Sequence, residues 1–182
     1  GTTNRGNPFQ YKTEENGEEV VRDISDQIIV NSRQLGIDAI VAIGGDGSQK
    51  IGYELFQKGM KTVGVPKTID NDLSATEVTF GFDTALHTVS DAIDKIHTTA
   101  SSHHRVMVVE VMGRDCGWIA LAGGIAGGAH VILIPEIPFT IKGICDFIAQ
   151  RESRGSRFTI VVVAEGVKLP PELKQMARGW PV

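Results

Sequence analysis

Cysteine is scarce in this sequence: 182 residues carry two, Cys116 and Cys145. That excludes a disulfide framework and makes a reducing compartment the expectation. Long apolar runs are missing as well. No segment reaches the ~18 unbroken apolar residues that a membrane-spanning helix needs, and the N-terminal stretch has no signal-peptide pattern. A formal charge of −4 gives no general attraction to nucleic acid or acidic lipid. Internal repeats and low-complexity tracts do not occur. A soluble, cytoplasmic protein that works without nucleic acid or membrane is expected. What is present is 41% hydrophobic residues, enough for one sizeable core and read as one domain. Glycine is plentiful, and it clusters at Gly44, Gly45 and Gly47 and again at Gly123, Gly124, Gly127 and Gly128.

The opening GTTNRGNPFQYKTEENG is polar and turn-rich and reads as an irregular loop. Val20, Val21, Ile24, Ile28 and Leu35 recur at helical spacing and predict a helix over Glu18–Leu35, with Gly36 as its stop. IDAIVAI (37–43) is a short β-branched run, expected to be a strand covered on both faces. Strand and helix signals then alternate. Helices are predicted from about Ser48 to Lys58, Gly81 to Thr99, around Gly117–Ala126, and over ICDFIAQRES. Between them KTVGV, RVMVVEV, HVILI and FTIVVVAEG read as strands. Such alternation argues an α/β fold with a parallel sheet and helical crossovers. In that fold ligands bind beyond the carboxyl ends of the strands, where the polar motifs fall. The sequence starts in a loop and stops at RGWPV without a closing element, so the α/β domain is expected to be incomplete.

Four motifs carry chemistry. Gly44-Gly45-Asp46-Gly47-Ser48 joins a strand to a helix. Glycines let successive amides approach phosphate oxygens, the helix start adds its positive end, and Asp46 suits a Mg²⁺ between itself and the phosphates. The alternative is a tight turn with Asp46 or Ser48 as helix cap. PKTIDND (66–72) crowds Lys67, Thr68, Asp70 and Asp72 at the next strand end. Adjacent strands bring this tip beside the GGDGS loop. Asp70 can take a proton from an attacking hydroxyl, or the stretch is an Asx-rich turn capping the next helix. VVEVMGRDCGW repeats the strand–glycine–helix design. In it Arg114 is either a fork for phosphate or the partner of Asp115 in an ion pair. Glu165 in AEG again lies at a strand end, as ligand or cap. His103, His104 and Arg105 precede a strand and read as an anion contact or a solvated entry. Without a Cys or acidic partner at metal spacing the histidines make no zinc site.

Taken in order and spacing, GGDGS, PKTIDND, SSHHR, VVEVMGRDCGW, IAGGAHVILIPE and AEG resemble the 6-phosphofructokinases over almost the whole chain. The resemblance implies a three-layer, parallel-sheet, Rossmann-like phosphofructokinase fold. The activity it implies is phosphoryl transfer from ATP with Mg²⁺ to the 1-hydroxyl of fructose 6-phosphate, a step of glycolysis, in a homo-oligomer. Residue by residue, Asp70 resembles the catalytic base, with Thr68 and Asp72 as substrate-site partners. Asp46 resembles the Mg²⁺–phosphate residue, and Gly45, Gly47 and Ser48 lie in the donor-phosphate loop. Arg114 resembles the arginine that steadies the transferring group, with Met112 and Gly113 beside the sugar phosphate. Arg105 resembles an arginine reaching fructose 6-phosphate across a subunit interface, Glu165 a sugar-binding glutamate, and Arg5 an arginine of the donor loop. On this basis residues 1–16 are a donor-side loop and 17–182 the central part of the domain.

The family's first Gly-rich loop and its C-terminal sugar-phosphate segment have no counterpart here. Lys67 resembles the pyrophosphate-using lineage, whereas Gly47 resembles the ATP enzymes. Ile51 is bulkier than the small residue common among the latter. Two alternatives follow: a pyrophosphate-dependent phosphofructokinase, and a non-catalytic sugar-phosphate sensor on the same domain. NAD and lipid kinases share a GGDG loop, but PKTIDND and MGR are not expected in them.

Overall fold

Alternating strand and helix run through the chain from Ile40 to Ala164, as the hydrophobic pattern predicts. The computed structural model describes residues 6–15 and 17–168. A 3₁₀ turn at Pro8–Gln10 leads into β1 (Tyr11–Glu15), β2 (Glu18–Arg22), α1 (Ser25–Gln34), β3 (Ile40–Gly44), α2 (Asp46–Gln57) and β4 (Thr62–Thr68). There follow β5 (Phe80–Gly81), α3 (Phe82–Ser102), β6 (Val106–Val111), α4 (Trp118–Ala126), β7 (Val131–Leu133), α5 (Ile141–Ser153) and β8 (Thr159–Ala164). No helix among the described residues is long and apolar enough to cross a membrane.

Two sequence expectations fail at the N-terminal end. The stretch read as a loop holds β1, and the first part of the expected Glu18–Leu35 helix is β2. The two strands form an antiparallel hairpin with Thr13 opposite Val20, turning at Gly17, whose φ is +84°. Successive β-branched valines fit a ladder better than a helix. Cross-strand pairs Lys12–Glu19 at 2.7 Å and Arg22–Glu15 at 2.6 Å then favour the hairpin locally. The real helix starts at Ser25 and ends where expected, with Gly36 at φ +70° just beyond it.

The chain divides into two compact units, Gly1–Thr68 with Leu73–Thr76, and Ile69–Asp72 with Glu77–Val182. In the first, β3 and β4 pair in parallel from Ile40↔Thr62 to Gly44↔Pro66, and α2 packs on both. Gln49 of α2 fastens this layer. Its Nε2 donates to the carbonyls of Ala42 at 3.1 Å, Gly44 at 3.0 Å and Val65 at 2.8 Å. The first of these strands, in IDAIVAI, was expected to be covered on both faces. Instead Val41, Ile43 and Val63 are 60%, 63% and 61% exposed, because α2 occupies only the opposite face.

In the second unit the parallel order is β6–β8–β7. The central β8 is the most deeply buried strand, with Ile160 and Val162 fully inaccessible. Burying each such side chain contributes about 1.5–3 kcal/mol. Helices α3 and α4 pack together and onto this sheet. The second glycine cluster makes that approach possible. A Cβ at Gly123 would stand 2.7 Å from Val89 Cγ1, and one at Gly127 2.6 Å from Ile93 Cδ1. Register sets Val111 level with Ala164, and Leu133 level with Val163, so all three strands finish along one edge.

At the other edge His130 joins β7 to β8. Its Nδ1 accepts from Ile160 N at 3.0 Å, its own N–H donates to Ile160 O at 2.9 Å, and Phe158 meets its ring edge-on. Burial, and then the charges of Arg151 and His97, hold the imidazole below its ordinary range. Protonating Nδ1 would remove the acceptor. The unfolded chain takes up that proton first, so the contribution to stability is present above pH ~6.5 and is lost as pH falls through the depressed folded value. The expected outcome is that Tm declines between pH 7 and 5 more steeply in the wild type than in His130→Asn, whose amide oxygen replaces Nδ1. Parallel declines in the two proteins would show that His130 does not couple to folding.

Candidate active site at the strand ends

Gly44 ends β3 level with Pro66 of β4, so the GGDGS loop and the PKT stretch emerge side by side. A Cβ on Gly44 would collide with the Ser48 side chain, and one on Gly45 would lie 3.4 Å from Thr68 Cβ. The loop therefore lies close against Thr68. Neither Asp46 nor Ser48 caps α2: the cap position is Gly45, with no side-chain hydrogen bond, and Asp46 is the first helical residue. The amides of the first turn are thus not satisfied by the cap side chain that a plain turn would supply. A Cβ at Gly47 would meet nothing within 4 Å, so the helix start is open there. Lys67 and Asp46 are exposed.

The PKTIDND turn divides its polar residues by task. Asn71 does the local capping. With φ +54°, its Oδ1 accepts from Thr79 N at 2.9 Å, and its Nδ2 donates to Glu77 O at 3.4 Å. The turn does not cap the next helix, because α3 begins at Phe82 after Gly81. Asp70 is 7% exposed, the one buried charged residue among those described. Asp72 pairs with Arg114, Oδ2 to Nη1 at 3.7 Å, which corrects the alternative pairing of Arg114 with Asp115.

Beyond β6 the chain makes a tight turn over residues 112–117. Cys116 N donates to Gly113 O at 3.0 Å, and a Cβ at Gly113 would stand 2.6 Å from Cys116 O, so that position requires glycine at its φ of +145°. Arg114 lies in the left-handed region at φ +52°, which costs a non-glycine residue about 1–2 kcal/mol. What holds it there is Glu165, the first residue after β8. Its Oε1 accepts from Gly113 N at 3.0 Å and from Arg114 N at 2.7 Å. Gly166 closes from the same side; a Cβ there would collide with the Arg114 carbonyl. Glu165 was expected to be a ligand or a helix cap, and it fastens the neighbouring loop. Met112 is exposed, and with Glu110 it lines an apolar cleft of about 500 Å³ between β6 and α3. Glu110 is exposed, so this strand glutamate is not a buried charge.

Sequence reasoning missed Glu136. Its Oε1 accepts from Gly117 N at 2.8 Å, at the far end of the same turn. The signal was available: IPE follows β7 as AEG follows β8, and both place a carboxylate just past a strand end. Cys116 registers this acidic company. Burial pushes its thiol up, and the carboxylates of Asp72, Glu136, Asp115 and Asp70 push it further. A thiol held protonated in this way is not a nucleophile.

The expected residues are thus distributed as follows. Gly45, Asp46, Gly47, Ser48 and Thr68 belong to the first unit, and Asp70, Asp72, Met112, Gly113, Arg114 and Glu165 to the second. Arg105 is exposed and precedes Val106, at the opposite end of β6 from Met112–Arg114. Arg5 lies outside the described residues.

Known proteins give this geometry its relatives. The family model described as phosphofructokinase matches residues 1–179. The ATP-dependent 6-phosphofructokinase 2 of Clostridium perfringens is 54% identical over 168 residues, covering 92% of this chain and 46% of the relative. Among solved structures, a phosphofructokinase from Saccharomyces cerevisiae is 40% identical with a TM-score of 0.67, over 75% of this chain and 21% of that one. A pyrophosphate-dependent phosphofructokinase from Marinobacter aquaeolei is 31% identical with a TM-score of 0.72, over 85% and 44%. The chain spans about half the length of the curated relatives it matches. With a family match across nearly its whole length, the chain belongs to the phosphofructokinase family.

Proposed function

We propose that the full-length protein transfers the γ-phosphoryl group of ATP to the 1-hydroxyl of fructose 6-phosphate, giving fructose 1,6-bisphosphate and ADP. The observation that carries this reading is the buried Asp70 in the same turn as Asp72, which pairs with an Arg114 held at φ +52° by Glu165. Asp70 accepts the proton of the sugar hydroxyl as its oxygen bonds to the γ-phosphorus and the bond to the β–γ bridging oxygen breaks. Arg114 faces the charge spread over the transferring group, and Asp72 orients the guanidinium. With Glu165 Oε1 engaged by the loop, a sugar hydroxyl contact falls to Oε2. Met112 and Gly113 lie on the sugar-phosphate side of this turn, and Thr68 is assigned to the sugar by resemblance alone.

On the donor side the open first turn of α2 offers the amides of Gly47 and Ser48 to phosphate oxygens, next to Gly45. Among the described residues no group of three or more His, Cys, Asp or Glu could hold a metal ion. A lone Asp46 carboxylate nevertheless fits Mg²⁺, which keeps waters and phosphate oxygens and takes one or two protein carboxylates. Bound with the nucleotide, the ion supplies neutralising charge for the phosphates. Arg105, at the far end of β6, is too misplaced along the strand for its own chain's Met112–Arg114 turn, which supports a role at a neighbouring subunit's site in a homo-oligomer. Arg5 is proposed as a donor-side contact by resemblance alone. Lys67 supports a second reading, pyrophosphate as donor, and the Marinobacter relative bears that name.

Two variants of the full-length protein test these assignments. Asp70→Asn keeps shape but cannot take the proton, and kcat is expected to fall about 10²–10⁴-fold with sugar affinity little changed. Near-normal kcat would remove Asp70 as the base. Gly47→Asp introduces a side chain into open space at the helix start, so the fold should tolerate it. There it would meet the α-phosphate of ATP with bulk and like charge, whereas pyrophosphate has nothing at that point. A clash of a few kcal/mol corresponds to about a hundredfold loss in kcat/KM for ATP, with pyrophosphate affected much less. Equal losses for both donors would refute this placement of the nucleotide.

A further inference from the structure

We propose that Glu136 is a positioning residue for Arg114, acting through its hydrogen bond to the Gly117 amide; this rests on the role assigned above to Arg114. The turn that carries Arg114 is gripped at both ends by carboxylates from other strands. Glu165 after β8 takes the amides of Gly113 and Arg114, and Glu136 after β7 takes that of Gly117 at 2.8 Å. Between the two grips the Cys116–Gly113 hydrogen bond makes the turn a single closed unit. A shift at Gly117 therefore reaches Arg114.

Three features make the Glu136 contact specific. Gly117 is buried, while Glu136 itself is exposed and reaches in with its carboxylate. A Cβ at Gly117 would stand 2.6 Å from Glu136 Oε2, so the carboxylate lies directly against the backbone. Gly117 is also the cap of α4, which has no side-chain cap and no acid in its first turn. Glu136 supplies from another strand the acceptor that the helix start would otherwise take from its own sequence. Arg114 occupies a backbone conformation that persists only when its surroundings over-determine it, and Glu165 fixes only the entry side.

Position and charge are separable by substitution. Glu136→Gln keeps an acceptor at the same reach without the charge, whereas Glu136→Asp keeps the charge but draws the acceptor back by one methylene. In the full-length protein Glu136→Gln should retain kcat close to wild type. Glu136→Asp should lower it roughly ten- to a hundredfold with KM for fructose 6-phosphate little changed. In the Arg114→Ala background Glu136→Asp should add almost no further loss, because it acts through the missing guanidinium. Thermal melts of each variant separate these effects from loss of folded protein. The inference is overturned if Gln is impaired and Asp is not, since charge would then be what matters. It is also overturned if the Arg114 and Glu136 losses multiply independently. A normal kcat for Arg114→Ala alone refutes the role of Arg114 itself, and this inference with it.

Discussion

Parallel strands in register end together, and that constraint organises the second unit. Because β6, β8 and β7 finish level, whatever follows each strand meets the others without further design. Three short polar segments, MGRDCG, EG and PE, are brought within hydrogen-bonding reach by the ladder itself. The carboxylates then do what carboxylates at such an edge can do: they accept from backbone amides that the turn leaves without partners. The result is an arginine held in an unfavourable backbone conformation and facing the Asp70–Asp72 turn. The strain at Arg114 is offset by hydrogen bonds to its own amide and to those on either side of it, at Gly113 and Gly117.

Much of this was legible in the sequence, for a physical reason in each case. Strand and helix alternate with clean hydrophobic runs, so β3, β4, β6 and β8 lie within a few residues of where composition puts them. Glycine out of keeping with its surroundings reports a close approach, at a strand end for Gly113 and between two helices for Gly123 and Gly127. The polar crowding of PKTIDND is unexplained by packing and so pointed to chemistry. Other features depend on contacts that no local pattern encodes. The valines of EEVVR sit at helical spacing from Ile24 and Ile28 by chance, while their true partners lie across a hairpin in YKTEE. Arg114 pairs with Asp72, 42 residues away, and not with its chain neighbour Asp115. Glu136 drew no reading from the sequence, because its contact with the Gly117 amide joins residues 19 apart that no local pattern connects. The open faces at Val41, Ile43 and Val63 were likewise invisible, since an apolar strand reads the same whether one layer covers it or two.

The two ends of the candidate chemistry use opposite means. On the donor side the protein offers backbone: the amides of the first turn of α2, kept open by Gly47, with one carboxylate at Asp46. In the second unit it offers side chains, with Asp70 buried and the Arg114 backbone clamped by Glu165. On the proposed reading, uncommitted amides suit a phosphate chain that arrives with its own metal, whereas Asp70 and Arg114 suit a sugar hydroxyl that must be held for in-line attack.

The central claim is that these strand ends serve phosphoryl transfer from a nucleotide to a sugar phosphate. The most direct measurement is a coupled assay of the full-length protein with fructose 6-phosphate and Mg²⁺, run in parallel with ATP and with pyrophosphate. The account predicts formation of fructose 1,6-bisphosphate with ATP, at a kcat/KM well above that with pyrophosphate. A preference for pyrophosphate would overturn the donor assignment, and turnover with neither donor would contradict the catalytic reading and leave a sugar-phosphate sensor in its place.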